Sequence, residues 1–123
     1  QMAIVTSKAD ELAARGVDHA GLAPFFDTIV GCDSCTTHKP EPEPVFVALA
    51  RLDRPPDEAI FVGDSPHDIA SGNAAGVVTV AATWGPFSRT QLEAARPTHW
   101  LDDITALPAL IARLHRLRSI EGG

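Results

Sequence analysis

The chain has 123 residues, of which 45% are hydrophobic and 21% charged, and these proportions indicate a single folded domain rather than a disordered segment. Its formal net charge of −6 at pH 7 disfavours nucleic acids and anionic membranes as partners, because phosphate groups attract basic surfaces. No apolar run approaches the roughly 20 residues that span a bilayer, no secretory signal is visible, and two cysteines are too few for a disulfide framework, so we expect a reduced, cytoplasmic protein.

Strand-like and helix-like segments alternate along the chain. The first half contains a strand over residues 3–5, a helix over 8–15 that ends at Gly16, a helical turn over 22–26, a strand over 28–30 and a helix over 45–52 with Pro44 in its first turn. The second half contains a strand over 59–62, a helix over 66–75 that ends at Gly76, a strand over 77–81, a helix over 89–95, an edge strand over 99–101 and a closing helix over 104–117. Because the strands are apolar throughout, this alternation predicts an α/β fold with a Rossmann-like parallel sheet and helices on both faces.

Polar residues after the first strand form the first candidate site, since ligands of open parallel sheets bind beyond the carboxyl ends of the strands. Thr6 and Ser7 occupy this position, directly before a predicted helix. Hydroxyls, backbone N–H groups and the helix dipole there favour an anion such as phosphate. The alternative is that one hydroxyl only caps the helix.

A pair of carboxylates follows the strand over residues 59–62. Asp64 lies at the strand end and Asp68 in the first turn of the next helix, with Gly63 permitting close approach of the backbone. Two converging carboxylates suit Mg²⁺, which takes one or two of them and completes its shell with water and substrate phosphate. The alternative is that either aspartate only caps the helix.

Lys39 lies between these two groups in the sequence and is followed by Pro40. A residue before proline is restricted to extended conformations, so the ammonium group is presented at a defined place. There it can neutralise a phosphoryl group and the carboxylates around it. The alternative is a lysine in a solvated loop.

Taken in this order, the three segments resemble motifs II, III and IV of the haloacid dehalogenase superfamily. The segments are Val5-Thr6-Ser7-Lys8, Lys39-Pro40 with Pro44 and the helix after it, and Val62-Gly63-Asp64-Ser65 with Asp68 and the glycines at 72 and 76. The likeness is greatest to the phosphoglycolate phosphatase group and its pyrophosphatase and phosphoglucomutase relatives, and it extends from Ala3 to about Leu117. The resemblance implies that residues 1–123 are the C-terminal part of a catalytic core domain.

The resemblance also implies an activity and a role for each candidate residue. The activity is that of a Mg²⁺-dependent phosphatase that acts through an aspartyl-phosphate on a small phosphorylated metabolite, with 2-phosphoglycolate as the best guess and pyrophosphate or sugar phosphates as alternatives. Thr6, Ser7 and the neighbouring backbone would bind the phosphoryl oxygens, and Lys39 would stabilise the nucleophile and the phosphoryl charge. Asp64 would ligate Mg²⁺, and Asp68 would support the metal shell or the lysine.

The sequence departs from the family in one respect that bears on activity. The family's nucleophile and general acid come from an Asp-x-Asp motif, and no two aspartates are two positions apart here. The inserted cap domain, which usually selects the substrate, is absent as well. Because the chain also opens directly on a strand, we expect the nucleophile segment and the cap to lie upstream of Gln1, and we expect this chain alone to be inactive.

Two other classes of function compete with this interpretation. A receiver module also uses carboxylates, a hydroxyl and a lysine around Mg²⁺, but its acidic pair comes early and its lysine late, whereas Lys39 precedes Asp64 here. A non-catalytic binding or regulatory fragment is the other alternative. Cys32 and Cys35 have the spacing of a redox or zinc pair, but the loop around them and the lack of a fourth ligand predict ordinary thiols.

Overall fold

The computed structural model describes residues 1–122 and the side chains of residues 1–117. Its strands are β1 (Ala3–Val5), β2 (Thr28–Val30), β3 (Ile60–Gly63), β4 (Val78–Ala82) and β5 (His99–Leu101). Its α-helices are α1 (Asp10–His19), α2 (Glu43–Leu52), α3 (Pro66–Ala75), α4 (Arg89–Ala94) and α5 (Leu107–Gly122). None of the helices in this described part is both long and apolar enough to cross a bilayer. The predicted alternation of strands and helices is confirmed.

All the strand pairs are parallel, as predicted, but they form two groups. β1 pairs with β2, and β4 lies between β3 and β5, with β5 at the edge as expected. No hydrogen-bonded ladder joins β1 to β3 within residues 1–122. One edge of β1 and one edge of β3 are therefore unpaired.

The core is built on both faces of β4, the most deeply buried strand. Val80 packs with Leu101 of β5 and Leu110 of α5. Ala81, on the opposite face, packs with Ile69 of α3 and Leu92 of α4. Successive residues of a strand point to opposite faces, so the three-stranded group needs helices on both sides, as the sequence predicted.

The helix α3 has the predicted bounds because both of its ends carry strong local signals. Ser65 accepts a hydrogen bond from the backbone N–H of Asp68, and the Asp68 carboxylate accepts one from the backbone N–H of Ser65. This capping box satisfies backbone donors at the first turn. At the other end, Gly76 adopts the left-handed conformation with φ of 81°, which glycine tolerates best.

The predicted end of α1 at Gly16 is wrong. The helix begins at Asp10 rather than at residue 8 and continues through Gly16 to His19. Glycine inside a helix costs only about 1 kcal/mol, so other helical residues around it can maintain the helix. The chain reverses instead after Ala20, at Gly21, whose φ is 73°.

Alanine substitutions at the two glycines test this correction. We expect Gly16→Ala to raise the free energy of unfolding by about 0.5–1 kcal/mol, because the site is helical and a Cβ meets nothing within 4 Å. Gly76→Ala should lower it by about 1–2 kcal/mol, because alanine resists the left-handed conformation. Urea denaturation measures both changes. If Gly16→Ala instead lowers the free energy of unfolding, the result would contradict this correction and support a helix that ends at Gly16.

Candidate functional site

The carboxyl ends of β1, β3 and β4 surround a cavity of about 340 Å³. Thr6 enters it from the end of β1, Asp64 from the end of β3, and Asp68 from the first turn of α3. Lys39 reaches the same cavity from the loop before α2. The structure thus brings together four residues that the sequence placed in three separate segments.

Lys39 connects the two groups of strands across this cavity. Its Nζ lies 2.6 Å from Asp68 Oδ1 and donates a hydrogen bond to the backbone oxygen of Val5 at 3.3 Å. It also lies 5.9 Å from the centre of the Phe61 ring, within reach of a cation–π interaction. The Lys39 and Asp68 side chains are each only 13% exposed. A largely buried ion pair therefore forms the floor of the site, and the solvated-loop alternative for Lys39 is wrong.

The loop that carries Lys39 is held against α3 by a second contact. Ser71, which is fully buried in α3, donates a hydrogen bond from its hydroxyl to the backbone oxygen of Glu41 at 2.6 Å. This contact lies two residues beyond Lys39. The hydrogen bond fixes the position of the lysine relative to Asp68. The sequence analysis did not predict this contact.

Asp68 already has a protein donor at each carboxylate oxygen. Lys39 donates to Oδ1, and the backbone N–H of Ser65 donates to Oδ2 at 3.3 Å. The side chain therefore both caps α3 and holds the lysine. Of the two roles that the resemblance implied for Asp68, these contacts favour support of the lysine, and its role in the metal shell stays a prediction.

The carboxylate of Asp64 differs from that of Asp68, because no residue of the described chain donates a hydrogen bond to it or forms an ion pair with it. It is partly buried at the cavity wall, and Gly85 from the loop after β4 packs closely against it. A carboxylate cradled in this way, with its oxygens available, is the kind of ligand that Mg²⁺ takes. This carboxylate fits a Mg²⁺ site in which water and substrate would supply the other ligands.

Thr6 and Ser7 have different surroundings. The Thr6 hydroxyl lines the cavity and accepts a hydrogen bond from the backbone N–H of Lys8 at 3.2 Å, which leaves its own hydrogen to donate. Ser7 is exposed and lies outside the cavity lining. Neither residue caps α1, whose N-cap is Ala9, so the capping alternative is wrong. Phosphate binding by both hydroxyls stays a prediction.

The two cysteines lie in the loop after β2 and have the properties of ordinary thiols. Both are free and partly buried. A hydrogen bond from the Cys32 thiol to Asp33 raises the pKa of Cys32, and burial raises the pKa of Cys35. A raised pKa lowers the thiolate fraction that redox chemistry needs. Within the described residues, no group of three or more His, Cys, Asp or Glu side chains could hold a metal ion.

Two residues of the loop after β4 lie at the cavity or against its lining, and neither was among the candidate site residues. Trp84 is 50% exposed and lines the cavity. Gly85 lies against Asp64. The signal that could have found them is their position, since Trp84-Gly85 follows the carboxyl end of the next strand in the sheet.

Comparisons with known proteins identify a family for this chain. A family model described as haloacid dehalogenase-like hydrolase matches residues 1–82. Pyrophosphatase PpaX of Bacillus cereus (strain B4264) is 39% identical over 116 residues, which are 94% of this chain and 54% of the relative. The chain thus spans about half the length of that curated relative.

Solved structures give the same fold. A HAD-superfamily hydrolase from Ehrlichia chaffeensis superposes with a TM-score of 0.77 and 29% identity, over 93% of this chain and 50% of the other. A structure described as a predicted phosphoglycolate phosphatase from Haemophilus somnus superposes with a TM-score of 0.80 and 26% identity, over 88% of this chain and 48% of the other. In both, the matched region is about half of the solved chain.

Proposed function

This chain belongs to the haloacid dehalogenase-like hydrolase family, and from that premise we propose that it forms the C-terminal part of a Mg²⁺-dependent phosphatase. The proposed substrate is a small phosphorylated compound. The observation that carries the proposal is the convergence of Thr6, Lys39, Asp64 and Asp68 on one cavity at the carboxyl ends of the strands. Hydroxyl, ammonium and carboxylate groups in one place form a site for phosphate and a cation.

The proposed reaction has two steps, and the nucleophile is an aspartate supplied upstream of Gln1. Its carboxylate oxygen attacks phosphorus, the bond from phosphorus to the leaving group breaks, and the leaving group takes a proton from the general acid of the same upstream motif, which later receives a proton from the attacking water. Water then attacks the aspartyl-phosphate, which releases phosphate and restores the aspartate. Mg²⁺ would supply positive charge that offsets the charge of the phosphoryl oxygens.

The residues of this chain prepare the site for that reaction. The Lys39 ammonium, held by Asp68, places a positive charge beside the phosphoryl group and the nucleophile. The Thr6 hydroxyl donates a hydrogen bond to a phosphoryl oxygen, and Asp64 offers its unpartnered carboxylate to the cation. These charges and dipoles are in position before the substrate arrives, so little reorganisation is needed during the reaction.

The unpaired strand edges support an upstream contribution to the site. β1 and β3 both end at the cavity, and Lys39 bridges from the Val5 backbone on β1 to Asp68 beyond β3. We propose that a further parallel strand pairs with both edges. Its carboxyl end would then lie beside Lys39, where the nucleophile is required. Pairing would also cover two edges that otherwise expose backbone hydrogen-bonding groups.

Two substrates are the first to compare. The resemblance read from the sequence suggests 2-phosphoglycolate, whereas the relative with 39% identity is named a pyrophosphatase. That relative shares more sequence with this chain than the Haemophilus somnus structure, which is 26% identical. We therefore place inorganic pyrophosphate first, with 2-phosphoglycolate second and sugar phosphates third.

Phosphate release by the full-length protein tests the proposal. We expect release from at least one of inorganic pyrophosphate, 2-phosphoglycolate and a sugar phosphate in the presence of Mg²⁺, and none after chelation with EDTA. The 123-residue chain alone is the control and should release no phosphate, because we propose that the nucleophile lies upstream of Gln1. A folded full-length protein that releases phosphate from none of the three would contradict the proposal, and Mg²⁺-dependent turnover by the 123-residue chain would contradict the upstream nucleophile.

A further inference from the structure

Gly85 lies directly on the Asp64 side chain, and the lack of a Cβ allows this contact. A Cβ at position 85 would lie 2.6 Å from Asp64 Cβ and 2.7 Å from Asp64 Oδ2. These distances are well below the separation of about 3.5 Å at which carbon atoms attract one another. Any larger residue at this position must displace either the carboxylate or the loop.

The backbone conformation of Gly85 provides no separate reason for a glycine. In the described part of the chain, the glycines with positive φ are Gly21 and Gly76. Gly85 therefore adopts a conformation that other residues can share. A glycine is required at this position because the Asp64 side chain occupies the space that a Cβ would need.

The loop that carries Gly85 is anchored at both ends. The backbone N–H of Thr83 donates to the backbone oxygen of Leu101 at 3.0 Å. At the other end, Ser88 begins α4 through a capping box. The loop therefore presents a well-supported surface to Asp64 rather than a segment that can yield at little cost.

We propose that Gly85 is a positioning residue whose backbone holds the Asp64 carboxylate toward the cavity by steric contact. Asp68 is held by hydrogen bonds, and those bonds occupy its oxygens. Asp64 is held without them, so its oxygens stay available to a divalent cation. The inference rests on the proposed function, because Asp64 is the residue that we propose to contact Mg²⁺.

The test compares Gly85→Ala with Gly72→Ala in the full-length protein. A Cβ on Gly72 would lie 2.6 Å from Thr79 Cγ2 and 3.0 Å from Phe61 Cδ2, so this variant introduces a similar crowding beside Thr79 and Phe61 instead of at Asp64. The measurements are the dissociation constant of Mn²⁺ alone, from the electron paramagnetic resonance signal of the free ion, and the urea midpoint.

We expect Gly85→Ala to weaken Mn²⁺ binding by about 10- to 100-fold, the usual effect of losing a residue that supports a metal ligand. Gly72→Ala should lower the urea midpoint and leave the Mn²⁺ dissociation constant unchanged. Wild-type Mn²⁺ binding by Gly85→Ala overturns the inference, and so does an equal loss of Mn²⁺ binding in the two variants.

A second arm covers the case in which Gly85→Ala alone does not fold. Asp64→Gly removes the atoms that the new Cβ would meet. In the Asp64→Gly background, Gly85→Ala should therefore lower the urea midpoint less than it does in the wild type. A double variant that is as unstable as Gly85→Ala alone overturns the inference, because the strain then lies elsewhere.

Asp64→Asn separates failure of this inference from failure of the proposed function. Loss of Mn²⁺ binding by Asp64→Asn, with wild-type binding by Gly85→Ala, overturns only the role of Gly85. Wild-type Mn²⁺ binding by Asp64→Asn overturns the assignment of Asp64 to the cation, and the role of Gly85 with it.

Discussion

Asp64→Asn is expected to abolish Mg²⁺-dependent phosphate release and to leave the protein as stable as the wild type. The carboxylate faces the cavity and has no hydrogen-bond or ion-pair partner among the described residues. Replacing it with a neutral amide therefore removes no hydrogen bond or ion pair that stabilises the fold. We expect the free energy of unfolding to change by less than about 0.5 kcal/mol. The activity should fall by more than the roughly 10- to 100-fold that loss of a supporting residue causes at a metal site.

The matched control is Asp18→Asn, the same chemical change on the exposed surface of α1. It should change neither phosphate release nor the urea midpoint. The informative measurement is phosphate release as a function of Mg²⁺ concentration for the two variants and the wild type. Activity of Asp64→Asn with the wild-type dependence on Mg²⁺ would remove Asp64 from the site.

Lys39→Met is expected to damage both the fold and the activity. It leaves the Asp68 carboxylate, only 13% exposed, without its cationic partner. Removing one member of a buried ion pair costs about 3–5 kcal/mol. The loss of a preorganised positive charge beside the phosphoryl group should lower kcat by about 10²–10³-fold. Urea denaturation and phosphate release measure the two effects separately.

The double variant Lys39→Met, Asp68→Asn distinguishes a structural lysine from a catalytic one. Asparagine removes the buried negative charge, so the double variant should recover much of the stability that Lys39→Met loses. Its phosphate release should stay as low as that of Lys39→Met. Lys8→Met, at an exposed lysine outside the cavity, is the control and should behave as the wild type. Recovery of activity together with stability would assign Lys39 a structural role alone.

Local signals were sufficient for the elements that carry them on their own residues. The bounds of α3 were predicted correctly, with its end placed at Gly76. In the structure Ser65 and Asp68 cap its start and Gly76 ends it, and each of these signals acts within one turn of the helix end that it marks. At α1 the same kind of signal misled, because Gly16 is tolerated inside the helix and the chain turns at Gly21. A glycine has no side chain to indicate which of the two roles it performs.

The sequence by itself determined the parallel α/β class, which follows from apolar periodicity. From the order of short motifs it also predicted that Thr6, Lys39, Asp64 and Asp68 share a site, and the structure places all four at one cavity. Tertiary structure alone decided how those residues are connected. Lys39 pairs with Asp68 across 29 residues, and Gly85 packs on Asp64 from the loop after a neighbouring strand. Contacts of this kind depend on which strands lie side by side and on distances of a few tenths of an ångström, and neither is encoded in the local spacing of residues.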